Sequence, residues 1–173
     1  MKYRIMAAIV LVWTAAFFQS TLLEYIEIFS VRPNLLIVLT VVVALLRSPV
    51  ESALMGLFFG LAMDILMGKT LGWYALLFLL ITVPISLVNE KLYREKLLVL
   101  LTFTFVSTVV IETMFVLIMF LFRGYHYLPY IFSTIILPEA LYNSILILPL
   151  FRPISGVYNI LDTLDRKRNR LSS

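Results

Sequence analysis

Three carboxyl groups stand inside long apolar runs of this sequence: Asp64, Glu112 and Glu139. A carboxyl in such surroundings costs several kcal/mol unless it is neutralised or paired, so each must face protein or water. Asp64 shares a four-residue spacing with Gly56, Gly60 and Gly68. Each step rotates only about 40° around a helix, so the four residues form one drifting stripe. Glycines four apart let a second backbone approach closely, the small-residue packing used between membrane helices. Glu112 follows Thr104 and Thr108 at the same spacing. That stripe offers a polar contact between helices or with a partner's transmembrane segment, or a protonated acid satisfied by a neighbouring hydroxyl. Glu139, Tyr142 and Asn143 share a third face just after Pro138, either as a functional site or as a structural knot. The proline should kink its helix and free the carbonyl of Thr134, a natural partner for that group.

Catalysis finds no support in these residues. Cysteine is absent, which removes disulfides, thiolate metal sites and a cysteine nucleophile. The single histidine, His126, falls in an expected loop, so a buried serine has no histidine base and a histidine metal site has too few ligands. An intramembrane aspartyl protease needs two membrane aspartates, and only Asp64 qualifies. The expectation is a protein with no catalytic residue, no metal and no cofactor.

The elements that must position these groups are membrane helices. Of 173 residues, 62% are hydrophobic and 14% charged, more apolar surface than a soluble domain of this size buries. The first run extends from about Ile5 to Leu23 and, lacking an Ala-x-Ala type cleavage site, reads as a retained helix rather than a secretory signal. The second, Pro33 to Leu46, is short for a span at about 21 Å. Ser48, Pro49 and Glu51 read as N-cap, first helical residue and capping box for a third helix reaching Met67. Thr70 is the expected cap of a fourth helix, which ends near Val88 before a charged loop at 89–96. Leu97 to Phe122 is the longest run, and helix six spans roughly Tyr130 to Phe151. After Pro153 the apolar residues Ile154, Val157, Tyr158, Leu161 and Leu164 recur at helical spacing, which predicts a short amphipathic helix on the membrane surface.

The expected fold is thus an all-α membrane protein, a six-helix transmembrane bundle over 1–153 followed by a basic amphipathic cytoplasmic tail over 154–173. The formal charge of +4 is no nucleic-acid signal, because the basic residues sit at segment ends and mass only at Arg166, Lys167, Arg168 and Arg170. Anionic lipid is the partner that suits this cluster. With six spans and the N-terminus inside, eleven Lys and Arg lie inside and three outside, which places both termini in the cytoplasm.

The run Gly56-Leu57-Phe58-Phe59-Gly60-Leu61-Ala62-Met63-Asp64, followed by Gly68 and Leu71-Gly72, resembles the signature of the rod shape-determining protein MreD family. Pro33-Asn34-Leu35 and Leu137-Pro138-Glu139-Ala140-Leu141-Tyr142-Asn143 strengthen the resemblance, which covers nearly the whole chain. Many relatives carry aspartate where this chain has Asn34. The resemblance implies a bacterial inner-membrane scaffold of the elongation machinery that binds the bitopic protein MreC. It would work beside the MreB filament, the glycosyltransferase RodA and a class B penicillin-binding protein. It also implies a fold similar to the substrate-binding subunits of energy-coupling-factor transporters. The alternative function is therefore a vitamin-type small-solute binding subunit, with Trp73, Tyr74, Tyr125 and Tyr127 near the mouth of an outward pocket.

Overall fold

A computed structural model of the chain describes residues 2–21, 23, 25–27, 31–68, 71–89, 97–123 and 128–171, with side chains at all of these except 2–5, 89, 123, 128 and 165–171. The elements are all helical: α1 (Lys2–Thr21), α2 (Leu35–Leu46), α3 (Pro49–Met67), α4 (Trp73–Asn89), α5 (Leu97–Arg123), the single turn α6 (Leu128–Ile131), a π turn (Phe132–Ile136) and α7 (Leu137–Leu171). Three stretches, Pro49–Met67, Leu97–Phe122 and Pro129–Leu164, are long and apolar enough to cross a membrane. Three shorter apolar helices, Met6–Thr21, Leu35–Leu46 and Trp73–Val88, accompany them. Large apolar side chains such as Trp13, Phe17, Leu98 and Leu121 stand exposed on the outer faces, the surface a bilayer would cover.

The short helix α2 is the centre of the bundle. Every residue from Leu36 to Leu45 is buried, and α2 packs against α1, α3, α4, α5 and α7. A helix apolar all round belongs inside a protein, and here its neighbours are other helices. The deficit in length is explained by that position, since α2 is wrapped by longer helices.

Helices α3 and α4 form the tightest pair, and α5 packs on α7. Ser48 occupies the N-cap position of α3 with Pro49 next to it, but the serine side chain makes no capping bond. Glu51, expected to close a capping box, lies 3.0 Å from the guanidinium of Arg47. The cation four residues back offers the carboxylate a charged partner.

The last expected span differs most. Upstream of Pro138 the hydrogen-bond ladder widens, with the Leu137 N–H bonding the Phe132 carbonyl five residues back. The proline ring and its missing N–H are thus taken up by a π turn. Downstream, α7 runs unbroken through Pro149 and Pro153 to Leu171, so the expected break after Phe151 is absent. The tail stripe is also divided. Ile154 is buried and Tyr158 packs on the core, whereas Val157 and Leu164 are exposed.

Candidate functional site

The buried polar groups meet at the end of the bundle where α2 and α4 begin. Asn34 is the N-cap of α2: its Oδ1 accepts the Ile37 N–H at 3.2 Å, a capping bond aspartate would also provide. Its own N–H donates to Asn143 Oδ1 of α7 at 2.7 Å. Asn143 Nδ2 donates in turn to Thr108 Oγ1 of α5 at 3.2 Å, and the Thr108 hydroxyl donates to the Thr104 carbonyl at 2.9 Å. From α1, Gln19 completes the cap by accepting the Leu35 N–H at 2.7 Å and donating to the Pro33 carbonyl at 3.3 Å. Orphan N–H groups at a helix start are costly where water is absent, and here three helices supply side chains to satisfy them.

Helix α4 is capped in the same manner from outside itself. The Asp64 carboxylate of α3 accepts the Gly72 N–H at 2.8 Å, the Tyr74 N–H at 3.0 Å and the Ala75 N–H at 3.2 Å. A negative group at a helix N-terminus also meets the favourable end of the macrodipole. Thr70, the expected cap, lies outside the described residues. Gly68 closes α3 in the left-handed conformation, with φ +62°, and is exposed. Its place in the glycine stripe therefore reflects chain reversal rather than packing.

The other two glycines lie against α4. A Cβ built at Gly60 would stand 2.6 Å from the Ala75 nitrogen and closer still to its α carbon. At Gly56 it would stand 2.8 Å from the Thr82 side chain. The groove is thus occupied by the protein's own α4, from the turn that Asp64 caps onward.

Tyr74 carries the α4 cap across to α5. Its hydroxyl donates to Glu112 Oε2 at 3.4 Å and its ring stacks on Phe115, with centroids 4.2 Å apart. Glu139, buried on α7, faces the side-chain amides of Asn143 and Asn34. Asp64 is thereby linked to Glu112 through Tyr74, and Glu139 to the α2 cap through Asn34 and Asn143. Tyr142 parts from Glu139 and Asn143 and donates to the Ile26 carbonyl at 3.2 Å. Tyr74, expected at the mouth of a solute pocket, is buried inside the protein, and Tyr125, Tyr127 and His126 lie outside the described residues.

A second cluster sits at the opposite end of α2. Arg47 forms a two-pronged contact with Asp162 of α7 at 3.0 to 3.1 Å, and its guanidinium lies over the Tyr158 ring at 4.4 Å. Between Asn34 and Arg47 the chain rises about 20 Å, whereas the matching stretch of α7, from Asn143 to Asp162, covers about 29 Å at 1.5 Å per residue. Helix α7 therefore crosses α2 obliquely or bends, and Pro149 and Pro153 lie between its two anchors. The side chains of Arg166, Lys167, Arg168 and Arg170 lie outside those described.

Sequence reasoning missed Gln19, Arg47 and Asp162 as structural anchors. A lone amide near the end of an apolar run was the available signal for the first, but its partner was invisible. Among the described residues no group of three or more acidic or histidine side chains is placed to hold a metal. No curated protein and no solved structure matches the chain. The family of the rod shape-determining protein MreD matches residues 1–161 of the 173, which takes in the Asn143 anchor on α7, the Asp64 cap and the α3 glycines but not Asp162. With that coverage, the chain belongs to the MreD family, whose role is in rod shape determination.

Proposed function

We propose that the protein is a non-catalytic scaffold of the bacterial cell-elongation machinery that binds MreC in the cytoplasmic membrane and supports peptidoglycan synthesis. One observation carries the reading: Asp64, Asn34, Asn143, Glu112 and Tyr74 are engaged in bonds that tie one helix to another. A frame built in this way holds its apolar outer faces in fixed relation, which suits the docking of partner helices. RodA, a class B penicillin-binding protein and MreB belong to the same proposed assembly. The fold likeness to the substrate-binding subunits of energy-coupling-factor transporters is part of the proposal, without their ligand. Contact of Arg166, Lys167, Arg168 and Arg170 with anionic lipid belongs to it as well.

Affinity purification of the full chain from its native membrane is expected to recover MreC. Its absence from the eluate, at matched abundance of both proteins, would overturn the scaffold reading.

The proposed orientation has both termini in the cytoplasm, following the distribution of Lys and Arg. Single cysteines at Lys69 and His126 are expected to react with an impermeant thiol reagent added outside the cell, and one at Arg94 is not. Outside labelling at Arg94 would refute six spans with the N-terminus inside.

A further inference from the structure

A cavity of about 650 Å³ opens between the start of α5 and the middle of α7, toward the Arg47 end of the bundle. One wall is apolar, made by Leu97, Leu100, Leu148 and Phe151. Leu97 on this wall is itself exposed, so the cavity opens onto the apolar outer surface that a bilayer would cover. The rim is polar, made by Arg152, Ser155 and Asn159 on successive turns of α7. Gly156 leaves the space open, since a Cβ built there meets nothing within 4 Å.

Among the described residues the charge at this rim is unmatched. Of the arginines with described side chains, Arg32 pairs with Glu27, and Arg47 pairs with Glu51 and Asp162. Arg152 is exposed and has no acidic partner among the described residues. A guanidinium with a hydroxyl and an amide close by matches a phosphodiester, which offers oxygens in the plane of the fork. The apolar wall below the rim asks for a hydrocarbon chain on the same ligand, and the volume falls in the range of small-molecule sites. We propose that this groove binds one anionic phospholipid, with its phosphate on Arg152 and an acyl chain along Leu97, Leu100, Leu148 and Phe151. The occupant is a lipid rather than a free anion because the cation and the apolar wall line one cavity. The inference is independent of the scaffold reading.

Native mass spectrometry of the full-length protein, titrated with phosphatidylglycerol or phosphatidylethanolamine of identical acyl chains, tests it. The wild type is expected to retain phosphatidylglycerol in preference. Arg152→Gln should reduce that retention about fivefold, the effect of one basic residue near an anionic surface, while Arg152→Lys keeps part of it. Gly156→Leu fills open space without a clash and should abolish retention while leaving the unfolding temperature in detergent unchanged. Equal retention of the two lipids would overturn the proposal. Wild-type retention in both Arg152→Gln and Gly156→Leu would overturn it too, as would displacement of the lipid by inorganic phosphate.

Discussion

Gly60→Leu is expected to deplete the protein from the membrane fraction and to lower its unfolding temperature in detergent more than any other glycine substitution in α3. The reason is the identity of the neighbour. At Gly60 an added Cβ runs into the backbone of Tyr74 and Ala75. Side chains can change rotamer to make room, but backbone moves only if the whole helix moves. Overpacking ordinarily costs about 1–3 kcal/mol, and this site should lie at or beyond the upper end. Moving α4 away would also stretch the three bonds from Asp64 to its first turn. Gly56→Leu should be milder at the first step, because the close neighbour there includes the Thr82 side chain. Gly156→Leu is the matched control, a glycine within α7 whose added Cβ meets nothing. Any loss of MreC recovery in Gly60→Leu should follow the loss of folded protein, because the groove holds α4. Wild-type abundance and unfolding temperature in this variant would show that α3 and α4 do not pack as described.

Asp64→Leu is expected to have a comparable effect through a different cause. Both carboxylate oxygens accept backbone N–H groups, and leucine would leave the Gly72, Tyr74 and Ala75 donors without a partner in a buried place. An unsatisfied buried donor costs about 1–3 kcal/mol, so the loss should amount to several kcal/mol. Asp64→Asn retains one accepting oxygen but turns an NH₂ group toward a donor. It should therefore fall between leucine and wild type. Thermal unfolding of the purified proteins, read alongside membrane abundance, checks the order. An Asp64→Leu variant as stable as wild type would mean that water or another residue caps α4.

The caps show where the sequence stops being informative. Local capping has a short-range signature, and that signature suggested Ser48 for α3 and Thr70 for α4. Ser48 makes no capping bond, Thr70 lies outside the described residues, and α4 takes acceptors from Asp64, eight or more residues upstream. At α2 the acceptors include Gln19 on α1 in addition to the local Asn34, and Asn143 on α7 accepts from Asn34 itself. In an apolar surrounding the nearest polar side chain in space satisfies a helix end, and spacing along the chain does not reveal which one that is.

By itself the sequence determined the class, the approximate helix positions and the family, because these depend on composition, on the length of apolar runs and on motifs within single helices. The stripe of Gly56, Gly60 and Asp64 was equally legible, since a four-residue period fixes a face whatever the surroundings. The tertiary structure alone decided what that face meets. It assigned Gly60 to the backbone of α4, gave Gly68 to a helix end, joined Asp64 to Glu112 through Tyr74, and turned the short α2 into the buried centre. It also split the tail stripe, drawing Tyr158 to Arg47 while Val157 and Leu164 stayed outside. Helical periodicity fixes the direction of a side chain relative to its own axis, whereas the packing angle and depth of each helix arise from contacts far apart in the chain, and those set which polar groups pair.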